Sequence, residues 1–258
     1  MSATMQDVLE RLRKKPWYIA SRMLVKTTIE SLPNKFLGYL EDLADRPEGF
    51  LGDLEVQWIN HVIPTNFGIV TLFAVKSPEG NEYEYEYYSW GRGPLSGVKG
   101  IVRLIDDSGN VTHLALLRGV KFATGREDFD LPGGFREGVE TDPSGVLQRF
   151  VVELQEELGM AEPPTLSAVH KLGRLRVDAG MTNNWPYIFC ADMPASEHAQ
   201  IGEVPNPDEW ELSDIGPFVI PISQLPALID TNDDAYFLSV VARMLRQGLL
   251  PTSALATS

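Results

Sequence analysis

The chain has 258 residues, 43% of them hydrophobic, which is enough for one large core or two modest domains and too apolar for a disordered chain. Its 36 acidic against 22 basic residues give a net charge of −14, so a nucleic-acid backbone would meet a repulsive field and is excluded as the main partner. The single cysteine, Cys190, cannot form an intrachain disulfide, and no stretch reaches about 18 consecutive apolar residues, so a cytoplasmic location is expected rather than a membrane or an oxidising compartment.

From the amino terminus, Val8, Leu9 and Leu12 give a short apolar helical face over Asp7 to Lys15, which Pro16 stops. Phe36, Leu37, Leu40 and Leu43 predict a second helix, against the intrinsic cost of about 1 kcal/mol for Gly38. From Asn66 the period changes to two. FGIVTLFAV and EYEYEYYSW, joined at Pro78 to Asn81, predict a hairpin with Glu82, Glu84 and Glu86 on a wet face and Tyr83, Tyr85 and Tyr87 on a packed one. The punctuated stretch Trp90 to Gly97 marks a boundary, giving an amino-terminal part over 1–95 and a second over 96–258.

In the second part, VKGIVRLID and VTHLALLRG read as strands around the turn Asp107 to Asn110. WPYIFCADM and Phe218 to Ile222 read as further strands, and Asp233 to Gln247 as an amphipathic helix that Gly248 ends. Between them lies LPGGFREGVETDPSGVLQRFVVELQEELGM, Leu131 to Met160, which carries the chemistry. Pro132-Gly133-Gly134 permits a tight reversal and a close backbone approach to phosphate. Asp142-Pro143 reads as a cap and first helical residue, and Gly159 as the glycine past the end, so a helix is expected over Pro143 to Leu158.

At about 100° per residue, Glu153, Glu156 and Glu157 span an arc of roughly 100°, with Arg149 on the same face. Two readings follow. A hard divalent cation relieves the mutual repulsion of such acids by accepting their oxygens together with water and substrate phosphates. Alternatively the acids form a solvated face, with Arg149 pairing with Glu153 at i,i+4.

Gly134-Phe135-Arg136-Glu137-Gly138-Val139-Glu140 and Glu153-Leu154-Gln155-Glu156-Glu157-Leu158-Gly159-Met160 resemble the two halves of the Nudix family motif. The first half is a glycine, five residues and a glutamate. The second is a glutamate, an apolar residue, any residue, two glutamates, any residue, a glycine and an apolar residue. Val152 stands where the family has arginine, and eleven residues separate Glu140 from Val152 where the family has seven. The added four residues are about one helical turn, which keeps the phase of the face while moving Glu140 away.

The resemblance implies an α/β fold with a Nudix-like mixed sheet between helices, preceded here by an amino-terminal α+β extension that covers the cleft or mediates a homodimer. It implies Mg²⁺ (or Mn²⁺) held by Glu153, Glu156 and Glu157, which are also the catalytic acids, with Glu140 as a further ligand. The expected activity is Mg-dependent hydrolysis of the diphosphate linkage in a nucleoside diphosphate derivative such as a nucleotide sugar. The alternative is a diverged protein of the same fold that binds a phosphorylated small molecule or performs a non-hydrolytic reaction. Either way the partner is a small phosphorylated molecule.

Arg118 and Arg126 are the candidate phosphate contacts, with Gly133 and Gly134 supplying the turn. Glu203, Asp208, Glu209 and Glu211 offer several choices for an additional acid. Trp185, Tyr187 and Trp210 are read as packing residues, His113, His170 and His198 as scattered, and Cys190 as buried.

Overall fold

The computed structural model describes residues 4–93, 95, 97–121, 124–135, 143–176, 178–202 and 216–255. The chain divides into two compact units, Met1–Ser96 with Arg176–Trp185, and Gly97–Leu175 with Pro186–Ser258.

In the first unit, helices α1 (Met5–Leu12), α2 (Pro16–Ala20), α3 (Met23–Glu30) and α4 (Leu37–Asp45) precede a sheet of β1 (Phe50–Leu51), β2 (Leu54–Pro64), β3 (Gly68–Lys76) and β4 (Glu82–Trp90). The strands pair antiparallel in chain order. Thr4 caps α1 reciprocally with Asp7, and α2 takes up the chain at Pro16, where a missing N–H costs nothing. The core joins Val8, Leu12, Trp17, Ile29, Leu40 and Leu43 to Ile59 and Phe73, with the Trp17 ring edge-on to Phe73 at 6.0 Å. Gly38 has a packing reason that offsets its helical cost: a Cβ there would run into the carbonyl of Arg92. Along β4 the glutamates are exposed, whereas the tyrosines grade inward from exposed Tyr83 to buried Tyr87. At the outer edge of β4 the Tyr88 N–H donates to the Met181 carbonyl at 2.8 Å, which ties Arg176–Trp185 to this sheet.

The second unit is an α/β fold with a mixed sheet of β5 (Val98–Ile105), β6 (Val111–Lys121), β7 (Arg126–Asp130), β8 (Val169–Arg174), β9 (Tyr187–Pro194) and β10 (Gly216–Pro221). The strand order is β10-β6-β5-β9-β8, with β7 also paired to β6; β5 and β9 run parallel and the other pairs antiparallel. Helices α5 (Pro143–Leu158), α6 (Leu225–Thr231) and α7 (Ala235–Arg246) flank it. The apolar runs of β6 and β9 are explained by burial on both faces. Ala115, Leu117, Phe189 and Ala191 pack with Val146, Phe150, Leu154 and Leu158 of α5. Their alternate neighbours Leu114, Leu116, Ile188 and Cys190 pack with Phe237, Val240, Val241 and Met244 of α7. Phe150 stacks on Phe189 at 5.1 Å, in space that a Cβ on Gly100 would fill. Helix α5 spans the residues its cap and glycine signals predict and ends at Gly159 with φ 61°. Among the described residues, no helix is long and apolar enough to cross a membrane.

Candidate active site

The glycine turn follows β7 and is tied to the start of β5. Gly100 N–H donates to the Pro132 carbonyl at 2.9 Å, Val98 N–H to the Gly134 carbonyl at 3.0 Å, and Gly97 forms a bridge with Phe135. Both glycines are required by close approach. A Cβ on Gly133 would strike the Val98 carbonyl, and one on Gly134 would strike the carboxylate of Glu153.

Helix α5, held by its apolar face, brings two acids to this turn. Glu153 is 3% exposed and lies against Gly134, while Glu157 accepts the backbone N–H of Gly133 at 2.5 Å. The i,i+4 spacing thus places one carboxylate on each of two consecutive glycines. Arg149 lies beside them, ion-paired with Glu153 and, at 3.2 Å, with Glu156. The pair with Glu153 is largely withdrawn from water, so each charge depends on its partner.

Sequence reasoning missed a second charged group at the turn. Lys99 of β5 donates to Asp130 at 2.6 Å and to the Leu131 carbonyl at 3.3 Å, and Lys121 donates to the other Asp130 oxygen at 2.7 Å. Burial opposes ionisation of Asp130, but the two lysines outweigh it and hold the carboxyl at about 2. Burial pulls Lys99 downward, and Asp130, with a smaller contribution from Glu157, more than reverses this. Asp234, which caps α7 by accepting the Phe237 N–H at 2.7 Å, is raised by burial. The available signals were a lysine inside the apolar strand VKGIVRL and an aspartate directly before the glycine turn.

The other candidates fall elsewhere. Arg118 pairs with Glu127 at 2.8 Å and lies over the Phe129 and Phe218 rings, and Arg126 reaches Asp233 at 2.9 Å. Trp185 donates to Asn183 at 2.7 Å, and Tyr187 stacks on Phe189 at 6.2 Å. His113 stacks on His198 at 5.3 Å, whereas His170 meets Asp192, which is also paired with Arg103. Cys190 is buried, which pushes its thiol up to about 12 and makes it a poor nucleophile. Glu140, Glu203, Asp208, Glu209, Trp210 and Glu211 lie outside the described residues.

Among the described residues, no three acidic, histidine or cysteine side chains form a group that could hold a metal ion. What the turn gathers is a pair, Glu153 and Glu157. Their hard oxygens suit Mg²⁺, which binds through one or two carboxylates and completes its shell with water and substrate phosphates.

No protein-family model matches the chain, and no curated protein matches its sequence. A solved structure described as an ADP compounds hydrolase superposes with a TM-score of 0.53 at 18% identity, over 80% of this chain and 99% of that one. The likeness is distant and is one of fold alone: a mixed sheet flanked by helices, consistent with a Nudix-like topology.

Proposed function

We propose that the second unit hydrolyses the diphosphate linkage of a nucleoside diphosphate derivative, with a nucleotide sugar as the first substrate class to test. The observation that carries this reading is the seating of Glu153 and Glu157 on consecutive glycines, Gly134 and Gly133. The distant fold likeness to an ADP compounds hydrolase places ADP derivatives in the panel.

In this reading Glu153 and Glu157 would hold Mg²⁺, with Glu156 as a third acid on the same helix. The ion, when bound, would neutralise diphosphate charge and polarise phosphorus. Gly133 uses its N–H to orient Glu157, so the turn acts by positioning acids rather than by cradling phosphate. Lys99 and Lys121 share the one carboxylate of Asp130, and each ammonium has further N–H donors that a phosphate oxygen could accept. Arg149 pairs with Glu153 inside the protein.

The test is incubation of the purified chain with ADP-ribose and other nucleotide sugars, with and without Mg²⁺, while nucleoside monophosphate and sugar phosphate are measured. Metal-dependent release of both products, abolished in Glu157→Gln, supports the reading; no turnover across the panel overturns it. A second reading, a binding protein that has lost hydrolysis, is favoured by the way Arg149 engages Glu153 and Glu156 together. It predicts nucleotide-sugar binding that needs no Mg²⁺ and survives Glu157→Gln.

A further inference from the structure

The first unit carries an open cavity of about 520 Å³ lined by its own residues, a size that suits a small ligand. Its wall includes Arg46, Asp42, Tyr85, Leu54, Thr182 and Asn183. Arg46, at the end of α4, is the feature that needs an explanation. Its side chain is 16% exposed and its guanidinium lies 3.9 Å from the centre of the Tyr87 ring and 5.4 Å from that of Phe73. Among the described residues its side chain has a single ion pair, 3.5 Å to Asp42, and no hydrogen bond; the Nε is buried without a partner. A directed donor held out of water with nothing to donate to is costly.

The acids of the cavity do not supply what is missing. Asp42 already accepts the Tyr87 hydroxyl and, at 2.6 Å, the Asn183 amide, while Asp45 is paired with Arg11 at 2.5 Å. The Tyr85 hydroxyl is likewise committed, donating to the Gly180 carbonyl. The wall holds two guanidinium groups: Arg176, which reaches Asn183 at 3.4 Å and lies over the Trp185 ring, and the stacked Arg46, whose buried Nε offers part of a planar fork matched to a carboxylate or phosphate. The neighbouring walls, Pro47, Leu51 and Leu54, continue onto a small apolar recess under Trp17 and Val75.

We infer that this cavity is a second binding site, for a small molecule that carries one carboxylate or phosphate group on a compact apolar or aromatic body. The anionic group meets Arg46 and the body lies along Tyr85, Leu51 and Leu54. One anionic group is specified because the carboxylates of Asp42 and Asp45 already balance the charges of Arg46 and Arg176 in the wall. The site lies in the unit that the proposed hydrolysis does not use, so it stands whether or not that reading holds.

The experiment is calorimetric titration of the full chain with phenyl phosphate, benzoate and inorganic phosphate at about 0.15 M ionic strength, chosen to screen nonspecific attraction. Saturable binding of phenyl phosphate or benzoate, stronger than that of inorganic phosphate, is expected. It falls about tenfold or more in Arg46→Gln and in Arg46→Lys, which keeps the charge and loses the fork, and is unchanged in Glu157→Gln. The preference between phenyl phosphate and benzoate identifies the anionic group. Should the Arg46 variants not fold, the Arg46 Nε–H resonance of the unaltered chain must move when the tighter aromatic probe is added. Absence of saturable binding, an unmoved Nε–H resonance, tightest binding by inorganic phosphate, or binding lost in Glu157→Gln and kept in folded Arg46 variants would each overturn the inference.

Discussion

Glu157 accepts the backbone N–H of Gly133 across 24 positions of sequence, at 2.5 Å, and this bond fixes the end of helix α5 against the turn after β7. With Glu153 against Gly134 it joins the helix to the turn at two consecutive residues. A substitution on either side should therefore be felt on the other.

Gly134→Ala tests that coupling. The added Cβ would occupy the position of the Glu153 carboxylate, which is buried and ion-paired to Arg149 and so has little room to retreat. Overpacking of this kind costs about 1–3 kcal/mol. Chemical denaturation should show a loss in that range, and nucleotide-sugar turnover should fall further than the stability loss explains; a variant with unchanged turnover would dissociate the turn from the chemistry.

Arg149→Met should be more damaging than Glu156→Gln. It removes one charge of a buried ion pair with Glu153, and breaking such a pair from one side costs about 3–5 kcal/mol. Adding Glu153→Gln to Arg149→Met should restore part of that stability. A double-mutant cycle by urea unfolding measures the coupling, and additive effects would contradict it.

The Asp130 cluster sets an acid limit on stability. Its carboxyl titrates at about 2 in the folded chain against an ordinary 3.8, so it contributes stability that is fully present above 3.8 and is lost as pH falls through about 2. The shift corresponds to about 2 kcal/mol. Unfolding free energies measured between pH 5 and pH 2 should fall less steeply in Asp130→Asn than in the unaltered chain, and equal slopes would refute the assignment.

Phe150→Ala should cost about 3–5 kcal/mol, because it empties the contact with Phe189 and Gly100 at the centre of the α5 face. The loss should appear in thermal unfolding, with β5 and β9 amides among those that lose protection from hydrogen exchange.

Helix α5 and the strands β6 and β9 were legible because their patterns are local: capping residues and a closing glycine for the helix, and short continuous apolar runs for the strands. The pairing of Arg149 with Glu153 was legible for the same reason, as an i,i+4 relation. Strand β7 was not, because Arg126 to Asp130 is charged and owes its extended form to pairing with β6. Lys99 and Lys121 were not linked to Asp130 because three strands must align before they meet. The placement of Arg176–Trp185 in the first unit depends on contacts such as Asn183 with Asp42, 141 positions apart, which no local pattern encodes.

The central claim is that Glu153 and Glu157 serve as a pair of oxygen donors whose metal is completed by substrate. Mn²⁺ binding followed by electron paramagnetic resonance, with and without a non-hydrolysable nucleotide-sugar analogue, tests it most directly. The account predicts weak binding by the chain alone, at least tenfold tighter binding with the analogue, and loss of that gain in Glu157→Gln. Mn²⁺ affinity that ignores both the analogue and Glu157 would contradict it.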